Sequence, residues 1–140
     1  MGWAGDKWKV QVMLLTPQVI CLKCLCIRSG KEIIISFVYG KNQESERRLL
    51  WYSLETISSN INSLGIPWMV LGDFYSVRHY NEKVGGQRVN SAWIDRFNTC
   101  IIQSGLVDLN TKGMWLMWTN RQRGTGRILG RIDRAIVNGN

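Results

Sequence analysis

The run from Pro67 to Phe74 constrains the fold of this chain more than any other stretch of its sequence. The apolar residues at positions 68 to 71 follow one another without polar alternation, which predicts a short strand covered on both faces. Gly72 and Asp73 come next, so this strand would carry a carboxylate at its end, where ligands and catalytic groups of layered α/β proteins gather. Taken alone, a Gly-Asp pair is also typical of a turn in which the aspartate caps the next segment.

Three strands are predicted in the first third of the chain, where apolar and β-branched residues are frequent. They cover Lys9 to Thr16, Val19 to Ile27 and Glu32 to Tyr39. A short turn at positions 29 to 31 separates the last two, so we expect them to form an antiparallel hairpin. Two further strands are predicted near the end of the chain, at Trp115 to Thr119 and Ile128 to Val137.

Two amphipathic helices are predicted to lie on the sheet. Apolar residues at steps of four, three and four mark the first, namely Leu50, Leu54, Ile57 and Ile61. We assign its neighbouring aromatic residues, Trp51 and Tyr52, to the core. The second helix covers Ser91 to Ser104, with Ser91 as N-cap, Gly105 in the left-handed C-terminal position and a buried stripe of Ile94, Phe97 and Ile101. This order of elements predicts one domain over residues 1–140, an α/β layered sandwich of mixed β-sheets flanked by helices.

The charge of the chain bears on its partners. Its 140 residues include 18 Lys and Arg against 10 Asp and Glu, a formal charge of +8 at pH 7. A basic domain of this kind favours DNA or RNA as a partner, although the same charge fits a soluble basic protein without one. No apolar stretch reaches membrane-spanning length and no signal peptide is visible, so we expect an intracellular chain without membrane contact, nuclear or cytoplasmic. The oligomeric state is left open.

The cysteines raise the question of a metal or disulfide site, above all Cys21-x-x-Cys24. In the predicted strand from Val19 to Ile27, Cys24 and Cys26 share one face while Cys21 lies on the other. The single histidine, His79, falls in a predicted surface loop. We therefore expect buried, reduced thiols and no protein-held metal.

A segment of interleaved arginine and glycine, residues 121–131, is a candidate nucleic-acid contact. Its arginines are Arg121, Arg123, Arg127 and Arg131. Next to Trp115 and Trp118, they would follow a phosphate backbone while an indole stacks on a base. The alternative is a solvated hairpin between two strands, and the sequence gives the two interpretations similar weight.

Six motifs flank the Gly-Asp-Phe sequence in a recognisable series. They are Ser36-Phe37-Val38-Tyr39-Gly40, Arg47-Arg48-Leu49-Leu50-Trp51-Tyr52-Ser53-Leu54, Glu82-Lys83-Val84-Gly85-Gly86, Gly105-Leu106-Val107-Asp108-Leu109, Trp118-Thr119-Asn120 and Arg131-Ile132-Asp133-Arg134-Ala135. In this order and spacing the chain resembles the endonuclease/exonuclease/phosphatase superfamily, which has the DNase I-like fold. Within that superfamily it is most similar to the endonuclease domains of LINE-type plant retroelements. The resemblance runs from about Val10 to the last residue and implies truncation at both ends.

The resemblance implies a chemistry, the magnesium-dependent hydrolysis of phosphodiester bonds, and a set of site residues. Asp73 matches the aspartate of the Gly-Asp-Phe-Asn motif, which lies next to the attacking water. Tyr39 matches a tyrosine that approaches the phosphate, and Asp133 matches an aspartate that orients the catalytic histidine. If the resemblance holds, these three residues lie at the same edge of the sheet.

Three departures from the superfamily pattern imply a loss of activity. Tyr75 replaces the asparagine of the motif and cannot present an amide donor and acceptor together. The metal-binding glutamate and the catalytic histidine have no counterpart in this chain. We therefore expect a truncated, catalytically inactive domain related to the metal-dependent endonucleases of non-LTR retroelements, with an incomplete magnesium site. The alternatives are a non-catalytic nucleic-acid-binding module that uses the basic segment from Arg121 to Arg134, and a gene-fragment product with no selected role.

Overall fold

A computed structural model describes residues 7–109, 118–119, 121, 126 and 129–140. The strands are β1 (Trp8–Leu15), β2 (Val19–Cys26), β3 (Glu32–Tyr39), β4 (Trp68–Asp73), β5 (Lys83–Val84), β6 (Leu106–Asp108), β7 (Trp118–Thr119), β8 (Leu129–Gly130) and β9 (Asp133–Asn138). The helices are α1 (Glu44–Ile61) and α2 (Ser91–Gln103), with 3₁₀ turns at Asn62–Leu64 and Tyr80–Glu82. In this part of the chain, no helix has both the length and the apolar character needed to cross a bilayer.

Six strands form one mixed sheet in the order β1-β2-β3-β4-β9-β6. Among the described strands, only β3 and β4 pair in parallel, and α1 makes the crossover between them. The antiparallel pairing of β2 with β3 confirms the predicted hairpin, and its turn includes Gly30 at a φ of 71°. Three short strands form a second sheet in the order β5-β8-β7. The predicted α/β class, with mixed sheets and flanking helices, is confirmed.

The predicted strands agree with the observed ones closely at β3 and less well near the end of the chain. The expected strand from Ile128 to Val137 is wrong, because the chain leaves the small sheet after β8 and enters the large sheet at β9. Between them the Arg131 N–H donates to the Glu82 carbonyl (2.9 Å) and the Ile132 carbonyl accepts from Phe74 N–H (2.9 Å). Residues 115–117 of the other expected strand lie outside the described residues.

Both helices are confirmed, with two corrections. All four residues of the first stripe are buried in α1, as is Trp51, but Tyr52 is 68% exposed and does not belong to the core. Tyr52 follows Trp51 by one residue, so its side chain is rotated about 100° around the helix axis from that of Trp51 and faces away from the sheet. The N-cap of α2 is Asn90 rather than Ser91, because the Asn90 side chain accepts a hydrogen bond from the N–H of Ala92 at 2.9 Å. The predicted left-handed Gly105 is confirmed at a φ of 65°.

Among the described residues, the two helices cover one face of the large sheet and leave the other, which we call the open face, partly exposed. Trp68 and Val70 of β4 lie in the core under the helices. Met69 and Leu71, on the opposite face, are partly exposed, so the predicted burial of this strand on both faces is wrong. On the same open face Phe37 of the neighbouring strand is 45% exposed. The described elements therefore supply one layer of helices to a sheet whose other face is largely apolar.

All four cysteines are unpaired thiols. Cys21 belongs to the core under the helices, and burial raises the pKa of the Cys100 thiol to about 12, so that thiol stays protonated. Cys26 is only partly buried, because it is the last residue of β2, and the prediction of buried thiols is wrong for it. His79 lies in an exposed loop, as expected.

Candidate functional site

Three predicted site residues meet at one edge of the large sheet. Tyr39 of β3 lies opposite Asp73 of β4, and Asp73 lies opposite Asp133 of β9. The parallel strands β3 and β4 both end here, and β9 begins here in the opposite direction. Because residues opposite one another in a sheet point to the same face, all three side chains lie on the open face. We call this group the carboxylate edge.

The carboxylate edge concentrates negative charge around Asp73, which is half-buried, with Asp133 exposed beside it. Burial raises the pKa of the Asp73 carboxyl, and the nearby charge of Asp133 raises it further. The backbone N–H of Tyr75 donates to Asp73 Oδ1 at 2.8 Å, which acts in the other direction by favouring the carboxylate. Two carboxylates in this arrangement attract a cation or the positive end of a donor. Tyr39, 71% exposed, places a phenol beside them.

Two glycines allow the backbone to close behind the carboxylate edge. Gly72 has a φ of 135°, and a Cβ at this position would overlap the carbonyl oxygen of Val38 on the neighbouring strand. Gly40 donates its N–H to the Asp73 carbonyl at 2.6 Å, and a Cβ there would come within 2.6 Å of the Phe74 carbonyl oxygen. The Gly-Asp pair of the sequence is thus part of a tightly packed strand and does not form a free turn. Tyr75 follows with a φ of 53°, which is unusual for a residue other than glycine.

Behind the edge lies a cluster of buried charges, which we call the buried charge network. Glu82, 1% exposed, pairs with Arg134 and with Arg131, whose Nη1 lies 3.6 Å from Glu82 Oε1. Asp108 pairs with the same two arginines: its Oδ2 lies 2.6 Å from Arg134 Nη1, and its Oδ1 lies 3.3 Å from Arg131 Nη2. The backbone N–H of Arg78 donates a hydrogen bond to Glu82 Oε2 at 2.7 Å. The network fastens the loop after β4 to the strands β6 and β9.

This network changes the assignment of the basic segment. Arg131, predicted to contact nucleic acid, is 7% exposed and its guanidinium is engaged by Glu82 and Asp108. This burial and these ion pairs disfavour the predicted phosphate contact of Arg131, because the arginine stabilises the fold. Arg121 is exposed and has a φ of 61°. The other two arginines of the segment, at positions 123 and 127, lie outside the described residues.

Next to the carboxylate edge is a cleft of about 340 Å³, which the sequence did not predict and which we call the aromatic cleft. Tyr75, Trp93 and Arg47 line it together with Lys83, Val89 and Ile132. The Arg47 guanidinium lies 5.8 Å from the Tyr75 ring centre and 6.0 Å from the Trp93 ring centre, within the range of cation–π contact. One signal was present in the sequence: Arg47 stands three residues before Leu50, so it continues the buried stripe of α1 with a charge.

The donor set at the carboxylate edge suits magnesium only in part. Among the described residues, no group of three or more His, Cys, Asp and Glu side chains could hold a metal ion together. Asp73 and Asp133 are two hard oxygen donors, and Mg²⁺ is often bound by one or two carboxylates completed by water and substrate phosphate. The pair therefore fits a weak site that a bound phosphate would complete.

Comparison with known proteins places the fold. No family model matches the chain, and no curated protein sequence matches it. Among solved structures, the endonuclease domain of TRAS1, a telomere-specific non-LTR retrotransposon, is 18% identical with a TM-score of 0.62, over 94% of this chain and 56% of that one. The human Nocturnin catalytic domain with bound sulfate anion is 16% identical with a TM-score of 0.53, over 96% of this chain and 49% of that one. D. rerio TDP2 complexed with single strand DNA product is 13% identical with a TM-score of 0.51, over 94% of this chain and 53% of that one.

These likenesses show that the chain shares the fold of the three proteins. At identities below 20% they concern the fold, and the predicted partial DNase I-like sandwich is confirmed at that level. The chain spans about half the length of the structures it matches. Nuclease and phosphodiesterase domains are thus the class of protein whose fold this chain shares.

Proposed function

We propose that this chain is a DNase I-like domain that holds a phosphodiester at the carboxylate edge with the help of a divalent cation and does not cleave it. The observation that carries the proposal is the register that sets Tyr39, Asp73 and Asp133 side by side. The three residues come from distant parts of the chain and coincide at one strand end of a fold shared with nuclease domains.

The chemistry of each residue follows from its position. Asp73 and Asp133 would hold Mg²⁺, which supplies neutralisation of the phosphate charge when bound. Tyr39, largely exposed at the same edge, would donate its hydroxyl proton to a phosphate oxygen. Hydrolysis also needs a group that takes a proton from water. With both carboxylates engaged by a cation, the described part of the edge offers none, and the single histidine lies at position 79 in the loop after β4.

Tyr75 supports the absence of cleavage. It occupies the place of the motif's asparagine, and its ring lies against the Arg47 guanidinium. A phenol has a single oxygen, so it lacks the separate NH₂ donor and carbonyl acceptor with which an asparagine side chain can contact two groups. Tyr75 instead forms part of the wall of the aromatic cleft.

A second candidate function, nucleic-acid binding through basic residues alone, is favoured by the charge of +8. D. rerio TDP2, which was solved with a single strand DNA product, shares the fold. In this alternative the exposed Arg121 contributes, whereas Arg131 and Arg134 are held within the buried charge network. The two functions differ in their need for a cation, because binding by arginine needs none.

A gel-shift titration of a single-stranded oligonucleotide, in Mg²⁺ and in EDTA, tests the proposal. We expect Mg²⁺ to strengthen binding, and Asp73→Asn to remove that increment, because the cation loses half of its protein carboxylates. Asp95→Asn, an exposed carboxylate of α2, is the matched control and should leave the increment intact. Supercoiled plasmid incubated in the same buffer should remain un-nicked. Binding that is indifferent to Mg²⁺ would favour the second candidate, and magnesium-dependent nicking lost in Asp73→Ala would refute the claim of inactivity.

A further inference from the structure

Arg47 occupies an unusual environment for a cation. It is 4% exposed, and its Nη1 donates to the carbonyls of Lys41 at 3.0 Å and Asn42 at 2.8 Å. In the part of the chain that the structure describes, no carboxylate forms a salt bridge with Arg47, and its buried Nε has no hydrogen-bond partner. Burying an unpaired guanidinium is costly, and a buried donor without an acceptor calls for an explanation. The aromatic cleft that Arg47 lines provides room for the missing acceptor.

The lining of the aromatic cleft defines what would fit. Trp93 and Tyr75 are 43% and 39% exposed, so part of each ring is free to stack, and Val89 and Ile132 add apolar surface. Two lining residues are cations, Arg47 and Lys83, and none of the described lining residues is acidic. A volume of about 340 Å³ falls within the range of small-ligand pockets. The cleft therefore suits a ligand with a flat aromatic body and a negative charge.

We propose that the aromatic cleft binds one nucleotide, with its base against Trp93 and Tyr75 and its phosphate near Arg47 and Lys83. The choice of a nucleotide among aromatic anions rests on the proposed function, because Tyr75 is two residues from Asp73 and the cleft borders the carboxylate edge. A strand whose nucleotide enters the cleft would place a neighbouring phosphodiester at that edge. Base stacking on the two rings is tolerant of sequence, so the cleft would fix the position of a strand more than its identity.

Isothermal titration calorimetry with deoxyadenosine monophosphate tests this assignment. Deoxyadenosine and inorganic phosphate, titrated separately, should each bind at least about tenfold more weakly than the nucleotide, because each offers only half of the contacts. Trp93→Leu should weaken binding of the nucleotide about tenfold or more by removing one stacking ring. Tyr52→Leu removes an aromatic residue of α1 that is 68% exposed and outside the cleft, and should leave the affinity unchanged.

A second variant, Lys83→Gln, keeps the inference testable if Trp93→Leu does not fold. Lys83→Gln should weaken nucleotide binding severalfold and leave deoxyadenosine binding unchanged. Nucleotide binding by this variant should also depend less on salt concentration than binding by the native chain. The inference is overturned if the nucleotide fails to bind, if inorganic phosphate binds as tightly as the nucleotide, or if neither variant alters the affinity. Asp73→Asn should bind the nucleotide at least as tightly as the native chain, since it removes a negative charge and no lining residue.

The Asp73→Asn result separates this inference from the proposed function. If the nucleotide does not bind but oligonucleotide binding still depends on Mg²⁺ and on Asp73, the cleft assignment fails and the carboxylate edge stands. If the nucleotide binds but Asp73→Asn leaves the Mg²⁺ increment unchanged, the edge fails and the cleft stands.

Discussion

Replacing Glu82 by glutamine tests how much of the fold depends on the buried charge network. In the native chain Glu82 and Asp108 together face the guanidinium groups of Arg131 and Arg134. The arginine side chains are 8% and 0% exposed, so they cannot turn to water when a partner is lost. Removing one partner of a buried ion pair costs about 3–5 kcal/mol. Since Asp108 still pairs with both arginines, we expect a loss at the lower end of this range, about 3 kcal/mol.

The matched control is Glu55→Gln. Glu55 pairs with Arg96 at 3.2 Å on the surface between α1 and α2, where the side chains are 25% and 37% exposed. Water and salt screen such a pair, so its loss should cost less than about 1 kcal/mol. Urea unfolding followed by tryptophan fluorescence measures both variants, and a loss of about 3 kcal/mol is a large part of the roughly 5–15 kcal/mol typical of a domain.

A double-mutant cycle with Arg134→Met completes the experiment. If Glu82 and Arg134 act as a pair, the double variant should be less destabilised than the sum of the two single changes by about 1 kcal/mol or more, because an unpaired buried charge no longer remains between them. A Glu82→Gln loss equal to that of Glu55→Gln, or strictly additive changes in the cycle, would refute the assignment of a buried, mutually dependent pair.

Two further predictions concern the carboxylate edge. Gly72→Ala should lower the free energy of unfolding by about 2 kcal/mol or more, since the new Cβ would overlap the carbonyl of Val38 at a φ that side chains rarely adopt; thermal unfolding against the native chain measures this. Burial and Asp133 raise the pKa of Asp73, so the folded state holds that proton more strongly than the unfolded chain. Ionisation of Asp73 therefore lowers the free energy of unfolding at a pH above the folded-state pKa. This loss of stability disappears as the pH falls below that pKa toward the unfolded-state value. Without Mg²⁺, Asp73→Asn should be the more stable protein at neutral pH and match the native chain in acid; melting curves across that range would contradict this if the native chain were the more stable one at neutral pH.

The parts of the fold that follow local periodicity could be predicted from the sequence. The spacing of Leu50, Leu54, Ile57 and Ile61 predicts α1, because this pattern depends only on residues within the same helix. The apolar run predicts the strand before Asp73, but it does not predict that one face of this strand is partly exposed. An apolar strand shows that both faces favour burial, and only the arrangement of whole layers shows whether both are covered.

The candidate site divides in the same way. The carboxylate edge could be anticipated because Tyr39, Asp73 and Asp133 each sit within a motif at a predicted strand end. The buried charge network and the aromatic cleft could not, since Glu82 meets Arg134 across 52 positions and Arg47 meets Trp93 only when both helices have docked. Periodicity carries no information about which distant charges pair. The pairing of Arg131 with Glu82 and Asp108 therefore cannot be predicted from the sequence.

The place of β9 in the sheet determines when this site can form during synthesis. β9 lies between β4 and β6, although β4 leaves the ribosome long before it. Until the residues up to Asn138 have emerged, β4 has an unpaired side, and the nascent chain exposes a ready partner for mispairing. Pairing of Asp73 with Asp133 closes a long loop, which is among the slower steps of folding. The carboxylate edge can therefore form only after β9 has been synthesised and has paired with β4, so β4 waits with one unpaired side while the residues between the two strands are added.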